Sequence, residues 1–245
     1  MRSSLVVLAK EVARDAGHLL RARGGEFVGV VSALGKDIKT QADVAAEQLI
    51  LARLAAGSGY AALAEESGGA YDEQGESPTW IVDPLDGTLN HSREIPLATV
   101  SIGLWQTGRP LLGVVYDFNR DELFCGVVGH GADCNERPLR VSATASRAEG
   151  IFCTGFPSAR SYDSSSLLEF VQKVQEWKKI RLLGSAALSL AWVAAGRADA
   201  YGEDDIQFWD VAAGLPLVLA SGGDYTCTAG TAGWRRKVRA SNGLV

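Results

Sequence analysis

The stretch WIVDPLDGTLN, residues 80–90, changes character at its fourth position. Thr79 to Val82 read as a buried strand. Asp83 follows at once, and Pro84 fixes φ and bends the chain off the strand. That bend lets Asp83, Asp86 and a carbonyl between them point into one volume. Gly87 has no Cβ, so a ligand can approach its backbone closely. A helix or turn starting at Gly87-Thr88 would turn free N–H groups toward a phosphate. Thr88 adds a hydroxyl able to orient a water.

Other carboxylates stand at comparable places. Glu65 and Glu66 end the apolar run Ala61–Ala64, and Asp210 lies between Phe208-Trp209 and Val211-Ala212-Ala213. Burying an acid at the end of an apolar element is costly. Acids gathered there repel and must protonate or find cations, yet no Lys or Arg adjoins them in sequence. A hard divalent cation resolves this. Mg²⁺ takes oxygen ligands, and two such ions ~3.5–4 Å apart can hold the attacking and leaving oxygens of a phosphoryl group. Each motif alone has a plainer reading: a surface turn, a solvated pair, and a first-turn helix acid. Their conjunction at apolar boundaries favours the metal.

Outward from these acids, residues 4–22 carry apolar side chains at helical spacing, and Gly24-Gly25 ends that helix. GKDIKT (35–40) reads as a short charged loop. A second helix is expected from Thr40 to Ala56, with Thr40 and Asp43 as a capping-box start. LATVSIGLW (97–105), PLLGVVYDF (110–118) and ELFCGVV (122–128) form an antiparallel meander. Beyond residue 135 strands and helices alternate: IFCTG, a helix over 164–178, IRLL, a helix over 185–195, ADAYGE, a helix over 209–220 kinked at Pro216, and DYTCT as the last strand. Such alternation argues for a layered α/β half. Residues 1–135 are thus expected as an α+β subdomain carrying most of the acids. Residues 136–245 form an α/β subdomain contributing Asp210, with the site between the two.

The chain has 245 residues, 47% of them hydrophobic and 22% charged, with a net charge of −5. This is a globular composition without a broad cationic surface for nucleic acid or a polybasic membrane anchor. The longest apolar stretch, Ala186–Ala195, is too short to span a bilayer. Charges at Lys10, Glu11, Arg14 and Asp15 come too early for a signal-peptide core. A cytoplasmic protein is expected. Cys125, Cys134, Cys153 and Cys227 form no CxxC pair, so they are expected as small buried hydrophobes kept reduced.

WIVDPLDGTLN, with EES (65–67) upstream and WDVAAG (209–214) downstream, closely resembles the inositol monophosphatase family of Mg²⁺-dependent, lithium-sensitive phosphomonoesterases. KTQAD (39–43) and GSAALSLAWVAAGRADAYGE (184–203) extend the likeness over nearly the whole chain. The resemblance implies a five-layer αβαβα sandwich of the inositol monophosphatase/fructose-1,6-bisphosphatase type. It implies that Glu65, Asp83 and the Leu85 carbonyl hold one metal, and that Asp83, Asp86 and Asp210 hold a second. Glu65 and Thr88 would hold and deprotonate the attacking water, with Asp43 behind Thr88. Gly87 and Thr88 would offer N–H groups to the phosphate. Asp86, Ala186 (through its backbone), Glu203 and Asp210 would face the hydroxyls of the organic part. Glu66 matches the family's second glutamate.

The implied substrate is inositol-1-phosphate or a similar polyol, sugar or cyclitol monophosphate. A 3′(2′),5′-bisphosphate nucleotide and histidinol phosphate are the alternatives. Two or three Mg²⁺ ions are implied, and a homodimer is the assembly the family suggests. Lys36 abuts Asp37, where family members space a lysine from an Asp in a mobile loop. Asp204-Asp205 beside Glu203 makes the substrate end acidic, which disfavours a second phosphate unless another cation intervenes.

Rival readings fit less well. A haloacid-dehalogenase-type phosphatase needs two aspartates two apart, and Asp83 and Asp86 are three apart. Gly29 to Lys36 has the wrong length for a P-loop, and no serine has the Gly-x-Ser-x-Gly setting of a serine hydrolase. A non-catalytic regulator that kept the fold would be marked by a lost ligand, and all the acids and Thr88 are present.

Overall fold

The computed structural model describes residues 2–22, 30–34, 37–156 and 163–245. Helix α1 (Arg2–Ala22) buries Leu5, Ala9, Val12, Ala16 and Leu20, the stripe expected from its spacing. β1 (Val30–Leu34) and β2 (Asp37–Thr40) pair antiparallel, so residues 37–40 are a strand and not the charged loop expected. The charges hid a period-two alternation in which Ile38 and Thr40 are set apart by Lys39. Lys36 lies outside the described residues. α2 (Gln41–Ser58) starts at the Thr40–Asp43 capping box and stops at Gly59, whose φ of 69° is left-handed.

The next strands are β3 (Ala61–Ala64), β4 (Gly68–Gly69) and β5 (Thr79–Asp86), followed by the short helix α3 (Thr88–Ser92). The meander then runs through β6 (Thr99–Gln106), β7 (Arg109–Asp117), β8 (Glu122–Val127), β9 (Gly131–Cys134) and β10 (Arg137–Pro138). Among the described residues these strands form one sheet of order β10-β9-β8-β7-β6-β5-β3-β4, antiparallel apart from the β3–β5 pair.

The remaining elements are β11 (Ile151–Cys153), α4 (Ser164–Glu176), β12 (Lys179–Arg181), α5 (Ala186–Ala194), β13 (Ala200–Gln207), α6 (Phe208–Ala212), α7 (Gly214–Ala220), β14 (Asp224–Ala229) and β15 (Arg235–Ser241). Their strands form a second sheet of order β12-β11-β13-β15-β14.

α1 and α2 cover the outer face of the first sheet over Trp80, Val82, Val100, Ile102, Val114 and Tyr116. α5, α6 and α7 fill the space between the sheets. α4 and Trp177 cover the far face of the second sheet at Phe152 and Ala200. The order of layers is α-β-α-β-α, as expected. No helix among the described residues is long and apolar enough to cross a membrane. All four cysteines are free thiols, three of them buried.

Two expectations about the C-terminal part are corrected. The segment 209–220 is two helices, broken at Ala213 and not kinked at Pro216. Pro216 sits in the first turn of α7, where its missing N–H has no helical acceptor to lose. DYTCT is not the last strand, because β15 follows and lies between β13 and β14. Its charges concealed the alternation that buries Arg236, Val238 and Ala240.

The inner helices approach the first sheet through a groove of glycines. Gly103, Gly113 and Gly126 stand side by side across β6, β7 and β8. A Cβ on Gly103 would lie 2.6 Å from the Ala212 carbonyl, and one on Gly113 would lie 2.0 Å from the Ala213 carbonyl. The junction of α6 and α7 therefore rests on bare backbone, which brings Asp210 close to β5. Gly113→Ala forces the two layers apart. The expected loss is about 3 kcal/mol or more, measured by denaturant unfolding; a loss under ~0.5 kcal/mol would show that the groove is not needed.

Candidate active site

Residues three apart on a regular strand point to opposite faces. Asp83 and Asp86 nonetheless share one side, because β5 carries a bulge between them. Asp83 is opposite Ser101 and Asp86 is opposite Thr99, so three steps on β5 match two on β6. The extra residue falls at Pro84-Leu85, where proline has no N–H for the ladder to lose. Ile81 faces the inner layer, and Asp83, two residues on, follows it. The Asp83 carboxylate accepts the Leu85 N–H at 2.9 Å.

Glu65 reaches the same place from β3. Leu63 faces the inner layer, and the Glu65 N–H continues the parallel ladder to the Val82 carbonyl at 3.1 Å. Asp210 arrives from the other sheet in the first turn of α6. Asp86 is held at the start of α5, where it accepts from Ser185 Oγ at 2.7 Å and from the Ala186 and Ala187 N–H groups at 3.3 and 2.6 Å.

The electrostatics show how crowded this volume is. Burial raises Glu65 to about 8, and Glu66, Asp43 and Asp86 add to the shift against a hydrogen bond with Asp83. Burial and then the charges of Glu65, Asp86 and Asp210 hold Asp83 well above the usual carboxylate range. Asp210 is raised by burial, Glu65, Asp86 and Glu203. Asp86 rises to about 6, burial outweighing Ser185 and the α5 N–H groups.

Among the described residues no ion pair reaches Glu65, Asp83, Asp86 or Asp210. The donors are not drawn into a ready-made shell either. As they stand, no three described His, Cys, Asp or Glu side chains are grouped to hold a metal ion. Asp83 is turned to Glu65 and Leu85, and Asp86 to α5. Oxygen donors of this kind, with Asp83 and Asp86 buried, Asp210 half-buried and Glu65 reaching the open surface, mutually repelling and without a described cation, fit a hard divalent metal.

Beside the acids stands a second arrangement. Asp43 is fully buried on α2. Its Oδ2 accepts the Thr40 N–H at 2.7 Å and the Thr40 hydroxyl, and its Oδ1 accepts Thr88 Oγ1 at 2.9 Å. Thr88 Oγ1 also lies 3.0 Å from the Leu85 carbonyl. With its one proton committed to these acceptors, the Thr88 oxygen is left to accept from a water. Gly87, at φ 95°, precedes α3, and a Cβ there would meet the Leu97 carbonyl at 2.7 Å. The Gly87 and Thr88 N–H groups precede any helical acceptor.

A cleft of about 420 Å³ opens here, with Glu65, Asp86, Asp210, Glu203, Asp205 and Arg235 in its lining. Ala186 also lines it, with its N–H facing Asp86. Glu203 projects from β13 against Gly155, where a Cβ would lie 2.4 Å from Glu203 Oε1. Burial pushes Glu203 up to about 8, a hydrogen bond with Tyr201 opposing and Asp86 adding.

The folded Glu203 carboxyl thus keeps a proton that the unfolded one releases near 4.5, and stability falls as pH rises from about 4.5 to about 8. In chelator, Glu203→Gln is expected to raise the melting temperature over wild type by a margin that grows across that window. A margin that shrinks with pH would contradict the burial of this carboxylate.

The structure revises the acidic cluster at 203–205. Asp204 turns to Arg239 Nη2 at 2.8 Å and to Lys237 Nζ at 4.0 Å. Asp205 Oδ1 accepts the Thr231 N–H at 2.7 Å. Sequence reasoning missed several supports. Ser185 tethers Asp86. Glu47, one turn after Asp43 on α2, is buried and accepts the Glu66 N–H at 2.8 Å. Asn90 ties α3 to the Leu97 and Leu183 carbonyls at 2.8 Å each. Glu47 had a signal, a carboxylate at i+4 from a buried one; Ser185 and Asn90 had none.

All 245 residues of the chain match the profile described as the Inositol monophosphatase family. An inositol-1-monophosphatase of Mesorhizobium japonicum is 41% identical over 226 residues, 91% of this chain and 85% of that protein. The protein named Nus factor SuhB of Escherichia coli K12 is 37% identical over 88% of this chain and 82% of its own. Among solved structures, the inositol monophosphatase from Anabaena superposes with a TM-score of 0.84 at 35% identity, covering 99% of this chain and 92% of that one. With the sandwich, the bulged β5 and full-length matches in agreement, this chain belongs to the inositol monophosphatase family.

Proposed function

We propose that the cleft hydrolyses phosphate monoesters with Mg²⁺, and that inositol-1-phosphate or a similar polyol, sugar or cyclitol monophosphate is the substrate. The observation that carries this reading is the gathering of Glu65, Asp83, Asp86 and Asp210 beside the Thr88–Asp43 pair. Relatives named inositol-1-monophosphatase support it.

Glu65, Asp83 and the Leu85 carbonyl would hold one cation, and Asp83, Asp86 and Asp210 a second. The cations supply positive charge that acidifies a water and neutralises the phosphate and its departing oxygen. Thr88 Oγ1 would accept a hydrogen bond from that water while its own proton points to Asp43, so a proton given up by the water ends on the Asp43 carboxylate through Thr88 or on Glu65. Glu65 stands on the other side as the second acceptor, and Glu66 extends the acidic rim. The Gly87 and Thr88 N–H groups receive the phosphate oxygens. Glu203 and the backbone at Ala186 face the hydroxyls of the organic part. Positioning and charge neutralisation do the work, and no phospho-enzyme is needed.

A panel of phosphate esters with Mg²⁺, with added Li⁺ and with chelator tests the reading. Release of phosphate from polyol monophosphates that needs Mg²⁺ and falls with Li⁺ is expected. Absence of hydrolysis across the panel, or full activity in chelator, would overturn it.

A further inference from the structure

We propose that Arg235, in the lining of the cleft, makes a subsite for a second anionic group. Preferred substrates are then phosphate esters whose organic part also carries a carboxylate or another phosphate. This rests on the phosphatase reading above and moves the preferred substrate from neutral polyol esters to those with a second anionic group.

β15 carries a run of cations with different fates. Arg236 is buried against Glu73, with its guanidinium over Phe208 and Trp234. Lys237 and Arg239 both turn to Asp204. Arg235 faces the cleft and has no acid partner among the described residues. Its one recorded side-chain bond is a long 3.4 Å contact from Nη1 to the Asp205 carbonyl. A guanidinium has five N–H donors in a planar fork suited to carboxylate and phosphate oxygens. Most of that capacity remains unused in a cleft of small-ligand size.

The position of Arg235 is set by backbone bonds. β13 is irregular between Glu203 and Ile206, and Asp205 there adopts a left-handed φ of 62°. Its carboxylate accepts the Thr231 N–H. The Arg235 carbonyl accepts the Gly230 N–H at 2.8 Å, and the Arg235 N–H donates to the Ala232 carbonyl at 3.1 Å. A Cβ on Gly230 would come within 2.7 Å of Asp205 Oδ1, so a larger residue would push the turn off the bulge. The β14–β15 turn is thus latched to the strand that carries Glu203, and Arg235 is its cleft-facing cation. The charge of Asp204, which would oppose a second anion, is met by Arg239 and Lys237 outside the cleft lining. Glu203 and Arg235 then divide the organic part, Glu203 taking hydroxyls and Arg235 an anionic oxygen.

The test compares kcat/KM in two ester pairs with Mg²⁺: 2-phosphoglycerate against glycerol 2-phosphate, and fructose 1,6-bisphosphate, scored at its 1-phosphate, against fructose 1-phosphate. Wild type, Arg235→Gln and Arg235→Lys are assayed. The expected result is that Arg235→Gln lowers the anionic-to-neutral ratio by about tenfold or more in at least one pair, with Arg235→Lys falling less. A fall in the first pair alone assigns the carboxylate, and a fall in the second alone assigns the phosphate. An unchanged ratio in both pairs overturns the subsite. If wild type cleaves none of the four, the phosphatase reading is decided separately by the wider ester panel. The subsite is then judged by isothermal titration of the same esters, where equal selectivity in wild type and Arg235→Gln overturns it.

Discussion

Asp83→Asn is expected to lower turnover by about a thousandfold or more, since in the proposed site Asp83 alone would serve both cations and each would contribute several kcal/mol to charge neutralisation. Mg²⁺ activation should shift to higher concentration at the same time. The same variant should melt higher in chelator, by roughly 3 °C or more, because the Asp83 carboxyl, pressed by burial and by Glu65, Asp86 and Asp210, folds only by keeping a proton that the unfolded chain releases, and an amide carries no such cost. Steady-state kinetics with a Mg²⁺ titration, and melting in chelator, measure both effects. Near-normal turnover would refute the shared-ligand assignment. A lower melting temperature would instead mean that Asp83 is stabilising where it stands.

Thr88→Ala tests the other half of the site. Removing the hydroxyl leaves Asp43 Oδ1 without its donor and the water without its acceptor. A loss of about 10²–10³ in kcat is expected, the range of a positioned acid–base group, with the Mg²⁺ dependence little altered. Thr88→Ser keeps the hydroxyl and should recover much of the rate. The decisive comparison is the ratio of the two variants. If alanine and serine are equally active, the hydroxyl has no part in the reaction and Glu65 alone handles the water.

The acids were legible before the fold because each breaks a local rule. A carboxylate directly after Trp80-Ile81-Val82, or between Phe208-Trp209 and Val211-Ala212, conflicts with the burial of its neighbours. Their supports were less visible. Ser185 and Asn90 are ordinary polar residues in ordinary settings, and only the meeting of distant segments gives them partners. The strand β15 was hidden because its exposed positions are cationic, and the hairpin at 37–40 because two of its four residues are charged.

What the chain determines locally is most of the elements: helices from 3.6-residue stripes and a capping box, strands from alternation, and an irregularity at Pro84, which the structure shows as a bulge within β5 and not the strand end expected after Val82. Those depend on neighbours a few positions apart, so they are written in the order of residues. The tertiary structure alone decided which side Asp83 and Asp86 share, since that depends on the register of β5 against β6. It alone brought Asp210 across, through a glycine groove whose three members come from three strands. It alone separated Arg235 from Arg236, adjacent residues of which one is neutralised in the core and the other left facing the cleft. Charge and spacing are properties of sequence; partnership is a property of the packed layers.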